Sequence, residues 1–170
     1  TSDKSLMEHR SIEEIWNYQQ IELGFNYRMT DIHASLGLSQ LERLDEFVSR
    51  RHEIAKKYDQ QFESLPIIIP RQIPQSYSSY HLYPIRISRE NASISQKDVY
   101  NKLRANGILV NLHYTPVHRQ PYFESMGFKE GDFPESEKFH QEVISLPMFS
   151  ALKNLDQDQV ISNLLKITDR

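Results

Sequence analysis

Two short segments of the sequence carry side chains whose types and spacing could bind a polar ligand. The first is residues 24–31 (GFNYRMTD), where the amide of Asn26, the phenol of Tyr27 and the guanidinium of Arg28 directly precede a predicted helix start. Helix N-termini attract anions because their first backbone N–H groups have no partner inside the helix. The segment therefore indicates an anion-binding loop. The alternative is an ordinary capped loop in which Tyr27 packs and Asn26 bonds to the backbone.

The second segment is residues 111–118 (NLHYTPVH), which follows a predicted strand. It presents the imidazole of His113 and the phenol of Tyr114 just before a turn at Pro116. Loops that leave the ends of strands commonly form the walls of ligand sites. The alternative for His113 is a buried histidine whose ring is satisfied by backbone groups.

Other chemistries find little support in the sequence. The chain has no cysteine, which removes disulfides, thiolate catalysis and cysteine zinc sites. Its seven histidines include no H-E-x-x-H pair, and we predict no metal site. There is no G-x-S-x-G turn for a serine nucleophile, and the five glycines form no phosphate-binding loop.

Composition excludes further classes of protein. The net charge of −3 gives no basic excess, so we predict no binding to nucleic acid. No run approaches the ~20 apolar residues that span a bilayer, so we predict no membrane insertion. The N-terminus has no apolar core of a signal peptide and no initiator methionine. We therefore expect a cytoplasmic, globular chain that begins inside a longer gene product.

The first 65 residues are predicted to be mainly helical. Periodicity favours a helix over 3–16, a loop over 17–29 and a helix that starts at Thr30 or Asp31 and runs toward Gly37. The spacing of Ser39 and Glu42 is that of a capping box and predicts a long helix over 39–63. Its apolar stripe is interrupted by the polar side chains of Arg50, Arg51 and His52, which indicates either a helix that joins two cores or a solvated face.

Residues 66–170 are predicted to form a small α/β lobe. Alternation predicts a strand over Tyr80–Ser88, in which Pro84 indicates an edge position or a bulge. A second strand is expected over Ile108–His113 and a short extended piece over Val143–Leu146. Three helices are predicted in this lobe. One starts at Ser95 and stops at Gly107, the next starts at Pro134, and the last starts after Asp156.

Four segments together resemble a known family. Residues 24–41 (GFNYRMTDIHASLGLSQL) closely resemble the signature of the DegT/DnrJ/EryC1/StrS sugar aminotransferases. Residues 1–3, 107–116 and 145–147 resemble, in the same order, the segment after the family's cofactor lysine, its substrate-wall segment and its C-terminal Ser-Leu-Pro. The resemblance covers essentially all 170 residues. It implies the C-terminal part of a fold-type-I enzyme: a helical region with a long connecting helix (1–65) and a small α/β domain with a short, largely antiparallel sheet (66–170).

The resemblance also implies roles for individual residues. The family uses pyridoxal 5′-phosphate. Asn26 matches a position that reaches the cofactor phosphate of the neighbouring subunit, which implies a homodimer with shared active sites. Arg28 lies beside it and is expected either to bind the cofactor as well or to pair with a carboxylate. Asn111, His113 and Tyr114 match the segment that lines the nucleotide-sugar pocket. None of the nine lysines lies in a segment that resembles the cofactor-lysine loop, so the catalytic lysine is expected outside the chain, and the chain alone is expected to be inactive.

The implied reaction is transfer of an amino group from an amino acid, glutamate in our prediction, to a nucleotide-linked 4-keto-6-deoxy sugar in surface-polysaccharide or glycan biosynthesis. The His-Tyr-x-Pro form is most similar to the family's C4 transaminases of UDP-linked N-acetylhexosamines. Two alternatives stay open. One is a dehydratase of the same family, in which histidine replaces the lysine, and the other is a non-catalytic dimerisation or binding module.

A final expectation concerns surface apolar residues in the first 65 positions. Without a large domain to cover them, these side chains would form an exposed patch, and such patches seldom stay exposed. We therefore predict that the isolated chain self-associates through residues 1–62. The apolar residues concerned are Leu6, Ile12, Trp16, Ile32, Leu36 and Leu38.

Overall fold

A computed structural model of the chain describes residue 20 and residues 22–25, 27–88 and 92–168. The chain divides into two compact units, residues 1–42 and residues 43–170. The predicted helix over 3–16 lies outside the described residues. A division of the chain into domains at residue 65 stays a prediction.

The first unit contains helix α1, Asp31–Leu41. Its start is the predicted one, because the Thr30 hydroxyl accepts a hydrogen bond from the backbone N–H of His33 at 3.3 Å. The helix continues past Gly37 and ends at Leu41, so the backbone of Ser39 already lies inside a helix. The Ser39–Glu42 pair therefore starts no new helix.

The side chains of α1 are not buried. None of its residues is buried, and Ile32 is 82% exposed. The apolar side chains before the helix are equally exposed, with Leu23 at 98% and Phe25 at 90%. The unit thus presents a set of large apolar side chains to solvent. The set comprises Leu23, Phe25, Tyr27, Met29, Ile32, Leu36, Leu38 and Leu41.

The second unit begins with helix α2, Leu44–Phe62, which is the long helix expected from the sequence with a later start. Its C-terminal half buries four side chains at helical spacing, Ile54, Ala55, Tyr58 and Phe62. Its middle turn is polar and binds loop backbone. Arg51 donates to the carbonyl oxygens of Tyr80 at 2.7 Å and His81 at 3.2 Å.

The neighbours of Arg51 make similar contacts. His52 donates from Nε2 to the carbonyl oxygen of Ser78 at 2.8 Å. Arg50 donates to the carbonyl oxygen of Leu152 at 2.8 Å and to Oδ1 of Asn154 at 2.9 Å. These three consecutive residues interrupt the apolar stripe because each one hydrogen-bonds to a loop.

Two strands form an antiparallel sheet, β1 (Tyr83–Arg86) and β2 (Val143–Leu146). The register pairs Tyr83 with Leu146 and Arg86 with Val143. Burial alternates along β1 as predicted, since Tyr83 and Ile85 are buried, but the strand covers only four residues of the predicted 80–88. The sheet thus places Pro84 on an outer strand, which agrees with the predicted edge position.

The predicted strand over Ile108–His113 is wrong as a regular strand. Only Asn111 pairs, through an isolated antiparallel bridge with Ser145. The N–H of Val110 bonds to the carbonyl oxygen of Ile108 at 3.0 Å. This tight local bond uses the donor that a ladder would need, so pairing is limited to one residue.

Helix α3, Gln96–Ala105, has both predicted ends. The Ser95 hydroxyl accepts from the N–H of Asp98 at 3.2 Å. At the other end Gly107 takes φ +78°, a conformation that costs glycine little. The N–H of Ile108 bonds to the Leu103 carbonyl oxygen and that of Gly107 to the Arg104 carbonyl oxygen, both at 3.0 Å. This pair of hydrogen bonds is a Schellman motif, and it directs Ile108 back into the core.

The described part of the second unit also contains a short 3-10 helix, Val117–Arg119, and three more α-helices. They are α4 (Pro121–Glu124), α5 (Pro134–Glu142) and α6 (Asn154–Thr168). Pro134 is the first residue of α5, as predicted, and α6 starts two residues before Asp156. One core joins α2, the sheet, α3 and α6. No described helix is both long and apolar enough to cross a bilayer.

The core of the second unit predicts the effect of truncating Leu103, which is fully buried in α3. We expect Leu103→Ala to lower the free energy of unfolding by about 2–5 kcal/mol, because it removes buried methyl groups and leaves a cavity. Urea denaturation checks this. Leu109→Ala is the matched control, since Leu109 is 70% exposed. Equal losses in the two variants would contradict the core assignment.

The apolar surface of the first unit predicts self-association of the isolated chain. We expect oligomers in sedimentation velocity and an association constant that falls at least about tenfold in Leu36→Glu, since burying one leucine contributes ~1.5–3 kcal/mol. Leu155→Glu is the control, because Leu155 is exposed on α6. A monomeric wild-type chain, or equal weakening by both variants, would disprove the contact.

Candidate functional site

The predicted substrate segment is fixed at its start by backbone pairing with β2. The N–H of Asn111 donates to the Ser145 carbonyl oxygen at 3.3 Å, and the N–H of Ser145 donates to the Asn111 carbonyl oxygen at 2.9 Å. Strand β2 is buried at all four residues, so this pairing is protected from water. Residues 111–114 therefore leave the sheet from a defined point.

His113 is half-buried and is bound at two places. Its Nε2 lies 2.7 Å from the Ser145 hydroxyl oxygen. Its carbonyl oxygen accepts a hydrogen bond from Nδ1 of His140, on α5, at 3.1 Å. The ring of Phe139 lies beside the ring of His113, with centroids 6.1 Å apart. The sequence suggested either a ligand-binding histidine or one bonded to backbone groups. The hydrogen bond between its ring and a side-chain hydroxyl was not predicted.

The other two predicted substrate residues are exposed. Tyr114 is 91% exposed, and the side chain of Asn111 also faces solvent. Among the described residues neither side chain makes a hydrogen bond, so both are available to a ligand or to another part of the protein. The segment thus combines one fixed imidazole with two free polar side chains.

A buried hydrogen-bonded pair supports the loop that follows this segment. Nε2 of His118 lies 2.7 Å from Oε1 of Glu137, and both side chains are largely buried. The N–H of Gly131 also donates to Glu137, at 2.9 Å, and the ring of Phe133 packs on His118 with centroids 4.8 Å apart. The hydrogen bond from His118, followed by that from Gly131, holds the pKa of Glu137 below its ordinary value.

An open cavity of about 200 Å³ is bordered by Glu137 of this pair and by His140. Ligand pockets for molecules of drug size usually measure about 300–1,000 Å³. The cavity is therefore too small to enclose a nucleotide sugar. Its lining includes Thr115, Pro116, Arg119, Glu130, Glu137 and His140.

The predicted cofactor-phosphate residues belong to the first unit. Asn26 lies outside the described residues. Arg28 is exposed, and among the described residues its guanidinium has no hydrogen-bond or ion-pair partner. A guanidinium presents N–H donors in the geometry that a phosphate accepts, so a free Arg28 fits a phosphate-binding role.

The described part of the chain brings no three histidine or acidic side chains together as a metal site.

The most buried tyrosine side chains of the described residues, Tyr58 and Tyr83, belong to the core. Burial raises the pKa of Tyr58, and burial together with the hydrogen bond to Asp59 raises that of Tyr83. Tyr58 donates to the Pro147 carbonyl oxygen at 3.1 Å and Tyr83 to Oδ1 of Asp59 at 2.6 Å.

Sequence reasoning missed the contacts of Ser145, His140, His118 and Glu137. Ser145 belongs to the Ser-Leu-Pro segment that resembles the family, but the sequence predicted no function for it. Glu137 and His118 are 19 residues apart on different elements, so no local spacing joins them. The only pointer to these contacts was the density of histidines between residues 113 and 140.

The His118–Glu137 pair predicts a pH-dependent part of stability. Because the folded-state pKa of Glu137 is lowered, the pair stabilises at a pH above the ordinary glutamate value of about 4.3 and loses this effect as the pH falls through the folded-state value. We expect Glu137→Gln to lower stability at pH 6 and to flatten its fall between about pH 5 and pH 3. Urea denaturation across this range checks the slope.

Glu135→Gln is the matched control for this prediction. Glu135 is exposed in the first turn of the same helix and makes no ion pair among the described residues. A slope that falls equally in both variants would assign the effect to net charge instead of the pair.

Comparison with known proteins now identifies the fold and the family. The DegT/DnrJ/EryC1/StrS aminotransferase family model matches residues 4–165. The chain is 33% identical over 149 residues to the spore coat polysaccharide biosynthesis protein SpsC of Bacillus subtilis, covering 86% of the chain and 38% of SpsC. It is 30% identical over 169 residues to the UDP-4-amino-4,6-dideoxy-N-acetyl-beta-L-altrosamine transaminase of Campylobacter jejuni, covering 98% of the chain and 44% of that protein.

Solved structures agree with the expected fold. PseC of Helicobacter pylori, an aminotransferase involved in the biosynthesis of pseudoaminic acid, superposes with a TM-score of 0.80 at 26% identity, over 92% of this chain and 42% of PseC. Spr1654 of Streptococcus pneumoniae, solved in PLP and PMP forms, also gives 0.80, at 28% identity over 91% of this chain and 39% of that chain. The α/β fold-type-I assignment is confirmed.

The chain spans about two fifths of the length of the curated relatives it matches. The family match, by contrast, covers nearly all of its own residues. This chain therefore belongs to the DegT/DnrJ/EryC1/StrS aminotransferase family, whose cofactor is pyridoxal 5′-phosphate.

Proposed function

We propose that this chain is the C-terminal part of a sugar aminotransferase that transfers an amino group from glutamate to a nucleotide-linked 4-keto-6-deoxy sugar. The observation that carries the proposal is the family match over residues 4–165. The names of two relatives, a UDP-linked amino-sugar transaminase and a spore coat polysaccharide biosynthesis protein, support a product used in surface polysaccharide or glycan biosynthesis.

The substrate contacts in this proposal come from residues 111–114. Among the described residues, Nδ1 of His113 has no partner, and Asn111 and Tyr114 offer an amide and a phenol that make no side-chain hydrogen bond. These groups match the hydroxyl, carbonyl and phosphate oxygens of a nucleotide sugar. Because the adjacent cavity holds only about 200 Å³, the rest of the pocket must come from other parts of the protein.

The cofactor contacts in this proposal come from the first unit and from outside the chain. Arg28 and Asn26 would bind the phosphate of the cofactor in the neighbouring subunit, so that a homodimer shares its two active sites. When bound, pyridoxal phosphate supplies the electron sink for amino transfer. The Schiff-base lysine would come from residues outside this sequence, and the 170-residue chain alone would be inactive.

Kinetics of the full-length protein that carries this chain test the substrate role of His113. We expect His113→Ala to raise the KM for the nucleotide sugar about fivefold to tenfold, the factor for losing about one hydrogen bond to substrate, and to leave the KM for glutamate unchanged. Formation of 2-oxoglutarate with the keto sugar as acceptor gives both constants.

His81→Ala is the control, because His81 is exposed and its ring makes no contact among the described residues. Equal effects on the two KM values would contradict a specific sugar contact. Loss of water from the sugar without consumption of glutamate would support the dehydratase instead. Absence of any reaction in the wild-type protein would support the binding module.

A further inference from the structure

Ser145 is a buried polar residue that the proposed reaction does not use directly. It lies in β2, is 5% exposed, and pairs across the sheet with Pro84. Its backbone makes both hydrogen bonds of the bridge to Asn111. The residue is therefore held from two sides, and its side chain has a fixed place beside the substrate segment.

The Ser145 hydroxyl has one partner, Nε2 of His113 at 2.7 Å. Among the described residues no other acceptor binds this hydroxyl. If the hydroxyl accepted from Nε2–H, its own hydrogen would be buried without an acceptor, which costs free energy. The favoured arrangement is therefore that Ser145 donates to Nε2.

This arrangement fixes the other ring nitrogen. A neutral imidazole has one N–H, so an Nε2 that accepts leaves the hydrogen on Nδ1. Nδ1 of His113 has no partner among the described residues. The backbone at His113 is also held, since His140 donates to its carbonyl oxygen at 3.1 Å. The ring thus presents a donor with a defined direction, whereas a free histidine would exchange between tautomers.

We propose that Ser145 is a positioning residue, which holds the Nδ1–H tautomer of His113 so that Nδ1 donates to an acceptor oxygen of the nucleotide sugar. The inference deepens the proposed function and rests on it for the identity of the ligand. It assigns specificity to the sheet, because the hydroxyl that selects the tautomer comes from a strand and not from the exposed loop.

The test uses three variants of the full-length protein. Ser145→Ala removes the hydroxyl, and Ser145→Thr keeps a hydroxyl at a strand position. Thr168→Ala is the matched control, because its buried hydroxyl donates to the Leu164 carbonyl oxygen of its own helix. Circular dichroism and urea denaturation confirm that each variant is folded before it is compared.

The first readout is the tautomer of His113, measured from the ¹⁵N shifts of both ring nitrogens in protein labelled only at histidine. We expect the wild type, Ser145→Thr and Thr168→Ala to carry the hydrogen on Nδ1, and Ser145→Ala to show the mixed tautomers of a free imidazole. This readout needs no substrate. An unchanged tautomer in folded Ser145→Ala would overturn the proposal.

The second readout is steady-state kinetics with the nucleotide sugar. We expect Ser145→Ala to raise its KM about fivefold, the factor for one neutral hydrogen bond, with kcat within about twofold of wild type. Ser145→Thr should restore the KM. A normal KM in Ser145→Ala, or a loss of kcat alone, would overturn the positioning role. A wild-type protein that fixes the tautomer but does not react with the sugar would instead refute the proposed function.

Discussion

Strand β2 is bonded along both of its sides, and the positions of the other elements follow from this. Its four residues are buried, so its backbone groups must find partners inside the protein. Strand β1 satisfies one side, and Asn111 satisfies part of the other. The flanking carbonyl groups are met by side chains: Gln96 donates to the carbonyl oxygens of His140 and Val143, and Tyr58 donates to that of Pro147. Helices α2 and α3 are thereby connected to the same short segment.

The parts of this fold that could be predicted are those encoded locally. Helix α3 starts at the Ser95 cap and ends at Gly107, and both signals act through hydrogen bonds to residues nearby in the sequence. The start of α5 at Pro134 is also encoded locally, by the fixed φ of proline. The alternation in β1 was visible because one face is buried. The later start of α2 at Leu44 could not be predicted, because the helix that Thr30 caps continues through Ser39, the residue expected to cap the next helix.

The same distinction applies to the candidate site. His113 and Tyr114 could be singled out from their place in a short motif, and their role in binding stays a prediction. Their different environments could not be foreseen. The imidazole is fixed by Ser145, 32 residues away, while the neighbouring phenol is exposed. Contacts between residues so far apart depend on the pairing of strands, and no spacing in the sequence reports them. The pair of His118 and Glu137 was hidden for the same reason.

The three polar residues in the middle of α2 have a consequence for how the protein can vary. Arg51 and His52 hydrogen-bond to the segment of residues 78–81 through its carbonyl oxygens, and Arg50 binds the carbonyl oxygen of Leu152. Side chains are contacted in addition: the ring of His52 lies against those of Tyr77 and Tyr80, with centroids 4.3 and 4.8 Å apart. A carbonyl group is the same in every amino acid. These hydrogen bonds therefore recognise the path of the loops, and residue identity matters at the few positions whose side chains meet His52 or Arg50. Substitutions at the other loop positions leave these hydrogen bonds intact, whereas the three helix positions have little freedom to change.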